Sequence, residues 1–431
     1  MDETNQNYDN DAVVVGGDSV EALPCISAAS HNVKLEPLPE VNELTKLVTN
    51  HAAPAEKTAD DKRAPIRVSI KSAQTADKAK QPRPIKKIIA ASLLAVAFVA
   101  LAVGIYATYS MMSIVNSVNY QHGSLSFDKV DVLVSQSETV QFVSHTNETK
   151  NILLCGCDID KYGTSRTDSM IILTIDHTHK KIKMTSLMRD MYLHIPGYRK
   201  SKLNAAFTYG GGNLLLKTIY ANFGLKIDKF VCVDYGVFAS VVDNLGGVEV
   251  EIEEMELEQF NKYVQGGKKN RITQAGKYNF NGQQALSYCR IRKVGTDTAR
   301  TARQRKVLTQ IMKKCRALSP LEAQKILTVA APCITTNMTR DEMTHLMMEG
   351  LASMDYATSG LRIPMDGAWK DKKMDNAWYV EIDLNSNARF INQFIYGDDE
   401  TSEALVRLQQ QADSEKADYD RSKFQKSKKK K

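Results

Sequence analysis

NILLCGCD, residues 151–158, decides the fold. It is an apolar run that ends in Gly, Cys and Asp, the pattern of a buried strand feeding a loop. MIILTID (170–176) and KIKMTSL (181–187) follow as two further strands, joined by the short polar turn 177–180. Helical periodicity then takes over in NLLLKTIYANFGL (213–225), with Asn213 as the expected N-cap and Gly224 at the C-terminal end. FVCVDYG (230–236) and VEVEI (248–252) return to strand character. GQQALSYCRIR (282–292), TARQRKVLTQIMKKCRAL (301–318), TRDEMTHLMMEGLASM (339–354) and SNARFINQFIYG (386–397) read as helices. In the third of these, Thr339 and Glu342 stand three apart, as a capping box requires. Strands alternate with helices without an internal repeat. The expected fold class is therefore α/β, a layered central mixed β-sheet flanked by helices.

Outward from this region the charge is unevenly placed. Residues 1–61 carry twelve acids and three bases, and residues 62–87 reverse the balance with nine bases and one acid. Residues 88–127 carry no charge, and 88–109 are almost purely apolar. Twenty-two residues of helix would reach roughly 33 Å, enough for a hydrocarbon core of about 30 Å. A core helix would show a polar stripe, and a secretory signal would not begin so far into the chain. One N-terminal transmembrane helix over 88–109 is the expectation, with the basic cluster on its cytoplasmic side. The organisation is then a disordered cytoplasmic tail over 1–87, a linker with the first strands over 110–146, an outer folded domain over 147–397 and a basic tail over 398–431. The last segment is read as solvated and disordered: residues 421–431 hold seven bases and no acid. The protein is thus expected in the cell membrane, single-pass, N-terminus inside and the folded domain outside.

A net charge of +7 on 431 residues is too mild to argue for nucleic acid. Seven cysteines exclude a small disulfide scaffold. The six outer ones lack CxxC spacing; buried thiols are expected, with an oxidised Cys315–Cys333 or similar pair left open. His145, His177, His179, His194 and His345 lack ligand spacing. Gly210-Gly211-Gly212 is not followed by Lys-Ser/Thr, so it is not a phosphate loop, and Ser165 and Ser169 are not in a nucleophile elbow.

The chemistry lies in Asp and Arg. Asp158 and Asp168 flank one loop, with Arg166 beside the second acid. Paired carboxylates of this kind suit Mg²⁺, or Mn²⁺ in its place, with phosphate oxygens and water completing the shell. Arg189-Asp190 ends the strand 181–187. Arg290 and Arg292 follow one helix, and Asp297, Arg300, Arg303 and Gln304 stand at the head of the next. Arg300 and Gln304 share a helix face, while Arg303 is one position off that pair. Arginine forks pair bidentately with phosphate oxygens, so the set has the composition of a pyrophosphate site. Any one of these arginines taken alone would pass for a surface charge.

In this order NILLCGCD, SRTDSMIILT, SLMRDMYLHIPG, KLNAAFTYGGG, VDNLGGVEVEI, FNGQQALSYCRIRK and DTARTARQRKVL resemble the LytR-CpsA-Psr family of bacterial envelope proteins, over about 151–306 and more weakly to 397. The resemblance implies a Mg²⁺-dependent phosphotransferase. It would take a glycopolymer, such as teichoic acid or capsule, from an undecaprenyl-pyrophosphate carrier and join it to peptidoglycan. By position, Asp158 and Asp168 match the metal-binding acids. Arg166, Arg189, Arg290, Arg292, Arg300 and Gln304 match residues contacting the pyrophosphate, with Lys202 and Arg303 in matching motifs. Asp190 and Asp297 are candidate bases. The implied partners are the polyprenyl-pyrophosphate-linked glycan, the peptidoglycan acceptor and membrane lipid, and no nucleic acid. Met188, Ala299, Cys155 and Cys157 depart from the family pattern without removing a charge. Two other classes stay open at this point: a hydrolase of the same pyrophosphate, and a non-catalytic envelope sensor or anchor.

Overall fold

The computed structural model describes residues 104–428 apart from His122, Ser124, 135–148 and 160–164, and at Asp158, Ile159, Ser165 and Thr296 it describes the backbone alone. The expected tail over 1–87, and the expected span over 88–109 as far as residue 103, lie outside the described residues. Residues 104–116 are helical, and among the described residues no helix is long and apolar enough to cross a membrane.

Thirteen strands are described: β1 (Asn119–Tyr120), β2 (Thr149–Ile159), β3 (Ser165–Asp176), β4 (Lys181–Leu187), β5 (Tyr192–Leu193), β6 (Ser201–Lys202), β7 (Phe230–Asp234), β8 (Val248–Ile252), β9 (Gly276–Phe280), β10 (Ile334–Thr336), β11 (Ala357–Ile363), β12 (Trp369–Met374) and β13 (Ala377–Ile382). Seven form one sheet in the order β1-β10-β7-β2-β3-β4-β11. β2 runs parallel to β7 and antiparallel to β3; β4 is antiparallel to β3 and parallel to β11. The sheet is mixed, as the sequence pattern implied. The centre is β2, whose Ile152, Leu153, Cys155 and Cys157 are all buried. Because β2, β4 and β7 point the same way, their C-terminal ends meet at one edge, where α/β folds build sites.

The helices are α1 (Leu203–Phe223), α2 (Tyr235–Asn244), α3 (Leu257–Tyr263), α4 (Gly282–Cys289), α5 (Thr296–Cys315), α6 (Pro320–Ala330), α7 (Arg340–Ala352), α8 (Leu384–Tyr396) and α9 (Asp399–Lys428). Helix α1 starts ten positions earlier than the pattern suggested, so Asn213 lies inside it and does not cap it. Its two halves are joined at Gly210 and Gly211, and Gly211 takes the left-handed φ of 64° that favours glycine. Gly224, also left-handed, ends the helix as expected. The capping box of α7 is formed: Thr339 Oγ1 accepts from the Glu342 N–H at 3.3 Å, and Glu342 Oε2 from the Thr339 N–H at 2.8 Å.

The expectation of a solvated C-terminal tail is overturned. Residues 399–428 form the 30-residue helix α9, and Ser402, Leu405 and Gln409 are buried on one face. Their i, i+3, i+7 spacing makes the stripe that docks on α8 and β11. The polar remainder is rich in Gln, Ala, Glu and Lys, strong helix formers.

Two cores result. The larger joins the sheet to α1 and α8 through Leu153, Ile172, Leu215, Ile219, Phe230 and Phe394. The smaller packs the hairpin β8–β9 on α2, α3, α4 and α5 through Val250, Phe260, Phe280, Tyr288 and Val307. VEVEI is therefore a strand, but of this separate hairpin and not of the main sheet.

Candidate functional site

The site begins with an irregularity. Along the β2–β3 ladder Gly156 faces Ser169 and Cys157 faces Thr167, so Asp168 is the extra residue of a β-bulge. Bulges re-aim a side chain out of the alternating pattern. Here the re-aimed group is a carboxylate at the sheet edge. Asp168 Oδ1 accepts from Arg189 Nη1, and Oδ2 accepts from Arg292 Nη2 at 2.8 Å. Arg189 leaves the end of β4, and Arg292 follows α4, so Asp168 ties the sheet to the helical layer.

The remaining charges close around this pair. Arg189 Nε lies 3.3 Å from Asp190 Oδ2, and Lys202 Nζ, on β6, donates to Asp190 Oδ1 at 2.7 Å. In the first turns of α5 Asp297 holds Arg300 through two contacts of 2.8 and 3.1 Å. Gln304 Oε1, one turn further, accepts from Ser169 Oγ at 3.2 Å. The Arg290 guanidinium stacks 4.6 Å from the Tyr235 ring centre at the head of α2. Arg166 is exposed on β3, and its backbone is the register partner of Asp158. The structure therefore brings Asp168, Arg189, Asp190, Lys202, Arg292, Asp297, Arg300 and Gln304 to one edge.

The electrostatics show that these groups feel one another. Burial alone would push the Asp168 carboxyl up, but Arg189, then Arg292 and Arg300, hold it below the usual carboxylate range. Burial would lower Arg189, but Asp168, Asp190 and Asp297 hold it above the usual guanidinium range. Arg300 goes the other way. Its burial is the largest cause; Asp297 opposes it, and Arg189 adds like-charge repulsion, so the group sits below its ordinary range. It is 2% exposed. The Nε atoms of Arg189 and Arg300 are buried and each faces an acid, Asp190 at 3.3 Å and Asp297 at 2.8 Å. A buried guanidinium with a repelling neighbour gains from an incoming anion.

Arg303 is corrected. It was expected at the pyrophosphate, but it turns into the smaller core. Its Nε binds Glu256 Oε1 at 2.7 Å, and its Nη atoms donate to the Ile291 and Val294 carbonyls at 3.0 and 2.6 Å. It braces the loop that carries Arg292. The cysteine expectation is corrected as well. Cys157 and Cys232 are bonded to each other across β2 and β7, and no disulfide joins Cys315 to Cys333. Burial pushes the Cys155 thiol up, and that of Cys289 up to about 12.

For a metal, the side chain of Asp158 lies outside the description. Its backbone is at the end of β2, beside the bulge that presents Asp168. Among the described residues no group of three His, Cys, Asp or Glu side chains could hold an ion. Asp168, an ionised hard oxygen donor, fits Mg²⁺, which takes one or two carboxylates and fills its shell with water and phosphate.

Tyr235 and Glu256 escaped the sequence reading. Tyr235 follows a buried strand directly, and that position at the carboxyl end of β7 was the available signal. Glu256 gave none, because its partner Arg303 is distant in sequence.

A mixed sheet with an Asp–Arg cluster at the carboxyl ends of its strands, braced by a helical hairpin layer, agrees with the family resemblance. The chain belongs to the LytR_cpsA_psr family, which matches residues 108–396. It is 29% identical over 250 residues to the polyisoprenyl-teichoic acid–peptidoglycan teichoic acid transferase TagT of Bacillus subtilis strain 168, covering 57% of this chain and 75% of that one. It is 28% identical over 301 residues to the transferase TagU of Bacillus mycoides strain KBAB4, covering 69% of this chain and 93% of that one. It is 28% identical over 250 residues to the regulatory protein MsrR of Staphylococcus aureus strain COL, covering 57% and 74%. The solved structure of TagT bound to LIIa-WTA shares the fold, at a TM-score of 0.50 and 23% identity over 64% of this chain and 100% of that chain.

Proposed function

We propose that this protein is a membrane-anchored, Mg²⁺-dependent phosphotransferase that moves a glycopolymer from a polyprenyl-pyrophosphate carrier, undecaprenyl in kind, onto peptidoglycan. The observation that carries the reading is the convergence of Arg189, Arg292 and Arg300 around Asp168. The names of TagT and TagU support the same class.

The acceptor hydroxyl attacks the glycan-side phosphorus. A P–O bond forms, the bridging P–O bond breaks, and polyprenyl phosphate leaves with the electron pair. The hydroxyl proton goes to a carboxylate of the site, Asp190 or Asp297. Arg189, Arg292 and Arg300 stabilise charge that grows on the non-bridging and leaving oxygens. Mg²⁺ held by Asp158 and Asp168 would neutralise part of the diphosphate.

The test is transfer by the full chain in lipid nanodiscs, with a polyprenyl-pyrophosphate-linked sugar as donor and uncrosslinked peptidoglycan as acceptor. Arg189→Ala is expected to lose at least ~100-fold of transfer while keeping its circular dichroism. Undiminished transfer by a folded Arg189→Ala protein would refute the proposal. Release of polyprenyl phosphate at the same rate without acceptor, and no wall bond with it, would make the protein a hydrolase.

A further inference from the structure

A line of side chains leads away from the phosphate cluster. It starts at Asp190. Lys202 Nζ, bound to Asp190 at 2.7 Å, also lies 5.3 Å from the centre of the Tyr379 ring. Tyr379 meets Tyr192 edge to face, with ring centres 5.1 Å apart. Lys372 Nζ lies 5.9 Å from the Tyr192 ring and donates to Glu381. All six side chains are half-buried.

The backbone fixes this line against the site. Tyr379, Glu381 and Lys372 belong to the hairpin β12–β13, in which Lys372 faces Tyr379. Val380 of the same strand donates its N–H to the Asp190 carbonyl at 2.9 Å and bridges Met191. Val380 is buried in the larger core, so alternation along β13 turns Tyr379 and Glu381 to the opposite, outer face. The hairpin cannot move without moving Asp190.

The rings have unused capacity. Among the described residues neither the Tyr192 nor the Tyr379 hydroxyl makes a hydrogen bond. Two half-buried rings with free hydroxyls suit a ligand with apolar ring faces and many hydroxyls; the two ammonium groups beside them are already paired, with Asp190 and Glu381. The carbon faces of a sugar stack on aromatic rings, and phenols bind sugar hydroxyls.

We infer that Tyr192 and Tyr379 form the subsite for the acceptor glycan. That acceptor is a chain of N-acetylated amino sugars, laid so that one ring's hydroxyl reaches Asp190. The inference rests on the proposed transferase function and names the acceptor side of that same site. The donor's diphosphate is held by the arginines on the other side of Asp190, so the two substrates meet at this carboxylate.

The experiment measures two constants on the full chain in nanodiscs: the KM for soluble uncrosslinked peptidoglycan oligomers, and the Kd of the polyprenyl-pyrophosphate-linked donor. Tyr379→Ala and Tyr192→Ala are each expected to raise the acceptor KM by about tenfold, the equivalent of ~1.4 kcal/mol, and to leave the donor Kd unchanged. Tyr379→Phe should keep most of the affinity, because the ring face remains. Unchanged acceptor KM in both alanine variants, with transfer intact, would overturn the inference. So would a matching rise in donor Kd, which would assign the rings to the donor. A wild-type protein that binds no donor and transfers nothing would instead remove the transferase reading on which the inference stands.

Discussion

Gln409 holds both backbone groups of Arg362. Its Oε1 accepts from the Arg362 N–H at 2.7 Å, and its Nε2 donates to the Arg362 carbonyl at 3.2 Å. Arg362 lies on β11, an end strand of the main sheet, and Gln409 comes from α9. The carboxamide thus supplies one rung of the strand that is not there. Removing it as Gln409→Leu would leave two buried backbone groups without partners, at about 1–3 kcal/mol each. The urea midpoint should fall with an unchanged m-value. A midpoint equal to wild type would mean that the helix adds nothing to the edge.

Arg303 and Arg189 should separate cleanly in solution, although sequence alone groups them. Arg303→Ala leaves Glu256, 7% exposed, without its counter-charge. A loss of about 3–5 kcal/mol is expected for breaking a buried pair from one side. Folded Arg303→Ala protein should bind the pyrophosphate donor with a Kd close to wild type. Weak donor binding without loss of stability would place Arg303 back at the phosphate.

Lys183 is fully buried and lies 2.8 Å from Asp176 Oδ2. Burial alone would raise Asp176, but the Lys183 ammonium and donors from His179 outweigh it and hold the carboxyl below its ordinary range. The unfolded chain binds that proton more readily than the folded one. The pair's contribution is therefore complete above the ordinary carboxylate range of about 3.9 and is lost as pH falls through the depressed value. Asp176→Asn should cost about 3–5 kcal/mol near neutral pH. The gap between variant and wild type should narrow on acidification, as denaturant titrations across pH would show. A gap of constant size would mean that the carboxylate charge is not what stabilises.

Chelation tests the proposed Mg²⁺ directly. EDTA should abolish transfer, and Mg²⁺ should restore it. Millimolar Mg²⁺ should also raise the thermal midpoint of wild type by mass action and leave that of Asp168→Asn unmoved. Equal shifts in both proteins would rule Asp168 out as a ligand.

How much of this was legible in the sequence depends on range. The runs at β2, β3 and β7 could be read from near-continuous apolar stretches, and β4 from the alternation of Ile182 and Met184 with polar residues. The first half of α1 could not, since TYGGG reads as a turn and only the packed structure shows a helix continuing through a kink at Gly211. Helix α9 was hidden because its docking face uses Ser402 and Gln409 beside a single buried leucine, Leu405. Among the site residues, Arg189, Arg292 and Arg300 announced themselves by standing at strand ends and helix heads. The turn of Arg303 toward Glu256 did not, because one step along a helix moves a side chain by about 100°, and its partner lies on another element.

Asp168 owes its direction to a miscount in hydrogen bonding: three residues of β3, Thr167 to Ser169, lie opposite two of β2. A shorter chain, lacking one residue of this segment, would make the more regular ladder. It would also rotate the carboxylate to the far side of the pleat, away from Arg189 and Arg292. The length of this segment thus matters alongside the identity of its acid, and improving the ladder would idle the proposed chemistry.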